Sequence, residues 1–275
     1  NSSMWNNLIP HLIKRNRVIC IDLLGHGKTE CLGYVHSMDL MSEAVNAVLK
    51  KLRIRRVQII GHSMGGYVAL SFCDLFPEKV KSFCLMNSTS RADSEEKRTN
   101  RDRAIEAVKK NHKTFIRLSV SNLFKPENRT IFTNEIENVT KEALKTPLQG
   151  IVAALEGMKN RPDREYLLST SSSKKMMIIG KEDPALDYNS VVEQAQNFNI
   201  RTVEFPDGQV KEYAANVLAE NILSQVDSEG FNSVLFDGIV DYKKDDTAVE
   251  KEDQFVYTKQ GKRRLRQTTK GWSLL

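Results

Sequence analysis

The sequence predicts an α/β fold with a mostly parallel sheet covered by helices, and three observations predict it. Short apolar runs rich in β-branched residues alternate with stretches of helical spacing. The pentapeptide Gly61-His62-Ser63-Met64-Gly65 stands between one such run and an apolar helix. A long charged helical segment then interrupts the alternation before it resumes. With 275 residues, 40% of them hydrophobic, the chain can bury a full core, so one domain with an appendage is expected.

"RVICIDL" (17–23) is a β-branched apolar run closed by "GHGKTE", which predicts a buried strand and a loop. From Ser37 onward the apolar positions Met41, Val45, Val48, Leu49 and Leu52 follow helical spacing. "VQIIGHS", "GGYVALSFCDLF" and "VKSFCLMN" then read as strand, sharp turn, helix and strand. Residues 88–170 carry the charged helix "DSEEKRTNRDRAIEAVKK" and further helical stretches, which makes them an inserted helical cap. "KKMMIIG" restores the strand rhythm and "IRTVEF" (200–205) ends it. From Gln209 the texture changes to a helix, "KEYAANVLAENILSQV", then strand-like "SVLFDGIVDY" and "QFVYT", then the basic run "KQGKRRLRQTTKGW". The expected division is therefore 1–208, with its cap, and a small α+β tail at 209–275.

The net charge of +6 is spread over several segments, so a solvated basic surface is the commoner reading and a nucleic-acid partner the rarer one. Cys20, Cys31, Cys73 and Cys84 have no metal-site spacing, and three lie in apolar runs, which fits a reducing cytoplasm. No apolar run approaches the roughly 18 residues that span a bilayer, so no membrane association is expected. With no metal cluster, dinucleotide fingerprint or phosphate loop, no cofactor is expected.

A serine between a strand and a helix, flanked by glycines, is held on a turn too sharp for larger neighbours, so small residues are expected at positions 61 and 65. Such a turn lifts the Ser63 hydroxyl above the sheet and aims the Met64 N–H at charge developing on a substrate. The alternative is a glycine-rich turn whose serine only caps the helix. His62 adjoins the serine but is expected to point away and pack.

On these residues, with "MWNNLIPHL", "RVICIDLLGHGKTE" and "MMIIGKEDP", residues 1–208 resemble the α/β-hydrolase family, in particular its small esterase and lipase-like members. The resemblance implies Ser63 as nucleophile, an oxyanion hole using the Met64 amide, a small ester-like substrate, and a triad acid in "GKEDP". Asp183 is that acid, with Glu182 and Asp187 as alternatives and a turn role before Pro184 as the plainer reading. His26 matches a loop near the family's site entrance.

The family pattern fails in two places. Its catalytic histidine follows the last strand of the series, where this chain has "EFPDG" and then Gln209, which cannot take a proton at neutral pH. His11, His26, His36 and His62 belong to the elbow region or precede it, and His112 lies on the cap. The family's second oxyanion amide comes from a loop after an earlier strand that would lie upstream of Asn1. That strand is central, between "VICIDL" and "VQII", so the sheet is expected to be shrunken or supplied from elsewhere, and the chain reads as N-terminally truncated.

The tail resembles a segment of Copia-type retroelement polyproteins in which a helix leads into a chromodomain-like small barrel. The resemblance implies "VLFDGIVDYKKD" as the first barrel strand and "GWSLL" as the start of the second. Phe236 and Trp272 are then candidate cage residues for a chromatin peptide, with core packing the commoner role for such aromatics. Lys262, Arg263, Arg264, Arg266 and Lys270 would touch phosphates or form a mobile basic terminus. The sequence thus reads as an ester-hydrolase scaffold of impaired activity; a non-catalytic binding protein or a chance fusion are the alternatives.

Overall fold

A computed structural model describes residues 1–205 except Lys14, Arg15 and Lys125, and the strands at 232–236, 253–258, 261–268 and 271–274. The strands β1 (Arg17–Ile21), β2 (Val57–His62), β3 (Val80–Met86), β4 (Lys174–Gly180) and β5 (Arg201–Phe205) are the apolar runs of the sequence. β6 (Asn232–Phe236), β7 (Asp253–Thr258), β8 (Gly261–Thr268) and β9 (Gly271–Leu274) follow, and all nine form one sheet in the order β5-β4-β3-β2-β6-β1-β7-β8-β9. From β5 to β1 every neighbouring pair is parallel, while β7, β8 and β9 join antiparallel. Parallel strands end on a common edge, and that shared edge is where the strand-to-helix turns gather.

Helix α1 (Ile9–Leu12) precedes β1, and α2 (Met38–Lys51) follows it. The Ser37 side chain accepts a hydrogen bond from the Leu40 N–H, and Asp39 in the first turn and Lys50 and Lys51 in the last suit the helix dipole. α3 (Met64–Leu75) is buried along most of its length, with Val68, Ala69 and Phe72 fully inside the core. Between β3 and β4 lie α4 (Glu95–Lys110), α5 (His112–Asn122), α6 (Thr133–Ala143), α7 (Leu148–Lys159) and the short α8 (Leu167–Thr170); α9 (Tyr188–Asn197) links β4 to β5. Helices therefore fill most of the segment read as the inserted cap.

The slot between β1 and β2, expected to be shrunken or supplied from elsewhere, is supplied by β6. Its residues pair with β1 from Arg17↔Asn232 to Ile21↔Phe236 and with β2 from Gln58↔Ser233 to Gly61↔Phe236. The resemblance of the tail implies the first strand of a separate small barrel in this stretch. The structure instead lays it in the main sheet, where two apolar strands each offer it an open ladder. The basic run, read as a terminus, is also strand: β8 pairs with β7 from Asp253↔Arg266 to Thr258↔Gly261, and β9 pairs with β8. β8 lies between β7 and β9, so its backbone has a ladder on each side. The expected helix "KEYAANVLAENILSQV" and Gln209 lie outside the described residues.

Candidate active site

The site is assembled by the ends of β2, β3 and β4. Ser63 follows β2 with φ 50° and ψ −118°, a conformation that costs a non-glycine residue about 1–3 kcal/mol and is found where function holds it. Its side chain is exposed and makes no capping hydrogen bond to α3, so helix capping does not occupy the hydroxyl. α3 begins at the next residue, Met64, whose N–H stands at the positive end of the helix.

Glycine is required at this turn by close approach. A Cβ on Gly61 would stand 2.6 Å from Gly66 Cα, and one on Gly66 would stand 2.5 Å from Ser88 Cβ. The tight packing thus involves Gly61 and Gly66, with Gly65 supplying the carbonyl that a Gly61 side chain would also strike.

Short bonds from β3 and its exit fix the turn. The Ser63 N–H donates to the Met86 carbonyl at 3.0 Å, and Ser88 Oγ donates to the Ser63 carbonyl at 2.9 Å. Asn87, itself at φ 44°, donates its N–H to the Ile178 carbonyl at 2.9 Å and accepts the Gly180 N–H on its Oδ1 at 2.9 Å. β3 therefore holds the serine turn on one side and the end of β4 on the other. Asn87 and Ser88 are absent from the sequence-based candidates; two polar residues directly after the buried apolar end of β3 (Phe83–Met86) were the available signal.

Asp183 lies three residues beyond β4, on the same sheet edge as Ser63. Its Oδ1 accepts the Ala185 N–H at 2.8 Å, and its own N–H reaches the Gly180 carbonyl at 3.3 Å. Burial pushes its carboxyl above the ordinary range, while the Ala185 N–H and the nearby His62 imidazole pull it down without cancelling the burial. His62, half-buried at the end of β2, thus faces the acid loop electrostatically. Glu182 is exposed, and Asp187 caps α9 by accepting the Ser190 N–H.

Three of the other described histidines are engaged elsewhere, and His11 lies in α1. His26 Nδ1 lies 3.0 Å from the Leu24 carbonyl, and His112 Nε2 lies 3.1 Å from the Thr146 carbonyl. His36 is fully buried, and its Nε2 accepts the Leu32 N–H at 3.0 Å, while burial lowers its basicity.

A buried ionic brace ties the inserted helices to α3. The Arg161 guanidinium stacks 3.8 Å over the Tyr67 ring and pairs with Asp93 at 2.7 Å, and Arg101 grips the same carboxylate. Gln194, also buried, accepts from Ser90 Oγ at 2.7 Å and Thr89 Oγ1 at 3.0 Å, binding α9 to the chain that leaves β3. Among the described residues no cluster of histidine, cysteine and carboxylate side chains has the geometry of a metal site, and no helix is long and apolar enough to cross a membrane.

Comparison with known proteins agrees with this fold. A model of the alpha/beta hydrolase fold matches residues 1–214. The Mycobacterium tuberculosis protein Rv2715 is 38% identical over 88 residues, 32% of this chain and 26% of that protein. A 2-hydroxy-6-oxononadienedioate/2-hydroxy-6-oxononatrienedioate hydrolase of Paraburkholderia phymatum is 26% identical over 179 residues, covering 61% of this chain and 60% of that protein. The chain thus spans about a quarter of the length of the mycobacterial relative and 60% of the hydrolase. A thermophilic esterase from Thermogutta terrifontis superposes with a TM-score of 0.75 at 25% identity, covering 82% of this chain and 86% of that one. An enol-lactonase from Burkholderia xenovorans LB400 shares the fold, with a TM-score of 0.73 at 20% identity over 82% and 86% of the two chains.

Proposed function

The chain belongs to the alpha/beta hydrolase fold family, and on that premise we propose that it is a serine hydrolase of carboxylic-ester ancestry whose turnover is impaired for want of a base. The observation that carries this reading is Ser63, exposed and held at positive φ at the start of α3 without a capping bond. In such a site the Ser63 oxygen attacks the acyl carbon of a small ester. The oxyanion is held by the Met64 N–H and a second amide, and Asp183 orients an imidazole that removes the serine proton. Here Gln209 stands where the resemblance places that imidazole. Its amide can donate and accept hydrogen bonds but has no basic lone pair at neutral pH.

Removing the histidine of a serine protease has cost about a millionfold in kcat, which sets the scale of the impairment. The helices between β3 and β4 act in this reading as a cap that shapes the ester pocket, and the chain works in a reducing, cytoplasmic setting. Purified protein on short p-nitrophenyl esters should turn over far below the typical enzyme rate of roughly 10 per second. A Ser63-dependent kcat within about tenfold of that value would overturn the impairment.

The same missing imidazole supports a second reading, a binding protein that keeps the pocket without the chemistry. Ligand binding that survives Ser63→Ala unchanged, in a protein without turnover, would favour it.

A further inference from the structure

Between β5 and β1 every strand but one comes from the first 205 residues; the exception is β6. It lies parallel to both neighbours, with five register pairs to β1 and four to β2. Those neighbours are interior strands: four of the five residues of β1 and five of the six of β2 are buried. Were β6 withdrawn, two facing ladders of N–H and C=O groups would be left unpaired in the core, an arrangement that folded proteins avoid. No other described strand is available to fill the gap, since β7 already pairs with the far side of β1.

We infer that residues 232–236 are a strand donated in cis to the centre of the sheet, so that this strand is an integral part of the hydrolase fold and not of a separate module. The covalent path permits it. From β5 to β6 the chain must cross four inter-strand spacings, about 19 Å, and return along a strand of about 17 Å. The 26 residues from 206 to 231 reach roughly 86 Å when extended. The donated strand also borders the site, because Phe236 is in register with Gly61, two residues before Ser63.

The test is hydrogen exchange of the full-length chain, read by peptide mass on the monomer isolated by size exclusion, and it needs no catalytic activity. The amides of 232–236 should be protected to the same order as those of 57–61. Exchange of 232–236 at the rate of an unstructured peptide while 57–61 stays protected would overturn the inference, and so would protection confined to a dimer. Val234→Pro removes one donor from the donated strand, and it should speed exchange in both 17–21 and 57–61 by at least tenfold. Unchanged exchange in those two strands would also overturn it. Should that variant fail to fold, the unmodified chain still decides the matter.

Discussion

Ser88 Oγ donates a 2.9 Å hydrogen bond to the carbonyl oxygen of Ser63, so the strained residue on the turn is held by a side chain two residues beyond the end of β3. Ser88 is itself almost wholly buried, and the space it occupies is available only because residue 66 is glycine. Gly66→Ala should push Ser88 aside, break this bond and destabilise the protein by about 1–3 kcal/mol in urea unfolding. Ser88→Ala, which removes only the bond, should cost about 1 kcal/mol. A Gly66→Ala protein as stable as the parent would show that the turn is packed otherwise.

The Asp93–Arg161 pair is buried on both sides, so removing Arg161 takes away both its stacking on Tyr67 and one of the two cations that hold the buried Asp93 carboxylate, leaving Arg101 alone. Arg161→Ala should cost about 2–4 kcal/mol, below the full cost of an unpaired buried charge because Arg101 remains, whereas a surface pair such as Lys141–Glu137 should give less than about 1 kcal/mol. Burial pushes the Asp93 carboxyl up, but Arg101 and Arg161 together pull it further down, leaving it below the ordinary range. A carboxyl depressed in the folded state contributes stability that is present above its unfolded value, near 3.9, and lost as pH falls through the folded one. Acid unfolding of Asp93→Asn should therefore lack part of the parent's steep loss below about pH 4.

Asp183 has the opposite sign. Its carboxyl is raised by burial, so between its unfolded and folded values the folded protein binds more protons, and stability falls as pH rises through that window. Asp183→Asn, which keeps an oxygen for the Ala185 N–H, should raise Tm at pH 7 or leave it unchanged. A clear loss of Tm at neutral pH would mean that the carboxylate is a structural anchor and not a group held at some cost for the site.

The cysteines offer a chemical check on the packing. Cys20, Cys73 and Cys84 are buried, and burial pushes all three thiols well up, while Cys31 is the partly exposed one, raised less severely by burial and Glu30. Iodoacetamide at neutral pH should modify Cys31 first and the other three only after unfolding. Rapid modification of Cys84 in folded protein would contradict the placement of β3.

The elements that the sequence announced are those whose signals are local. β1 to β5, α2 and α3 each carry an apolar run or a helical period, and the turn at Ser63 is written in its flanking residues. The place of β6 was not legible, because "SVLFDG" reads the same whether it opens a barrel or enters a sheet. Its partners lie more than 170 residues away. The brace of Arg161 on Tyr67 and Asp93 was hidden for the same reason: three residues scattered over 94 positions converge only in the fold. The candidate site was legible only where its residues stand in motifs. Ser63 and Asp183 stand in motifs, while Asn87 and Ser88, which hold the ends of the two strands, belong to none.

Ser63 is proposed here as a nucleophile presented at the start of α3 and lacking, with Gln209 in the histidine's place, a base to activate it. Labelling with a fluorophosphonate probe, read by intact mass with Ser63→Ala as control, tests this most directly. The account predicts that the folded protein remains essentially unlabelled under conditions that saturate an intact serine esterase. Rapid, stoichiometric labelling that vanishes in Ser63→Ala would contradict it and show that a base is present.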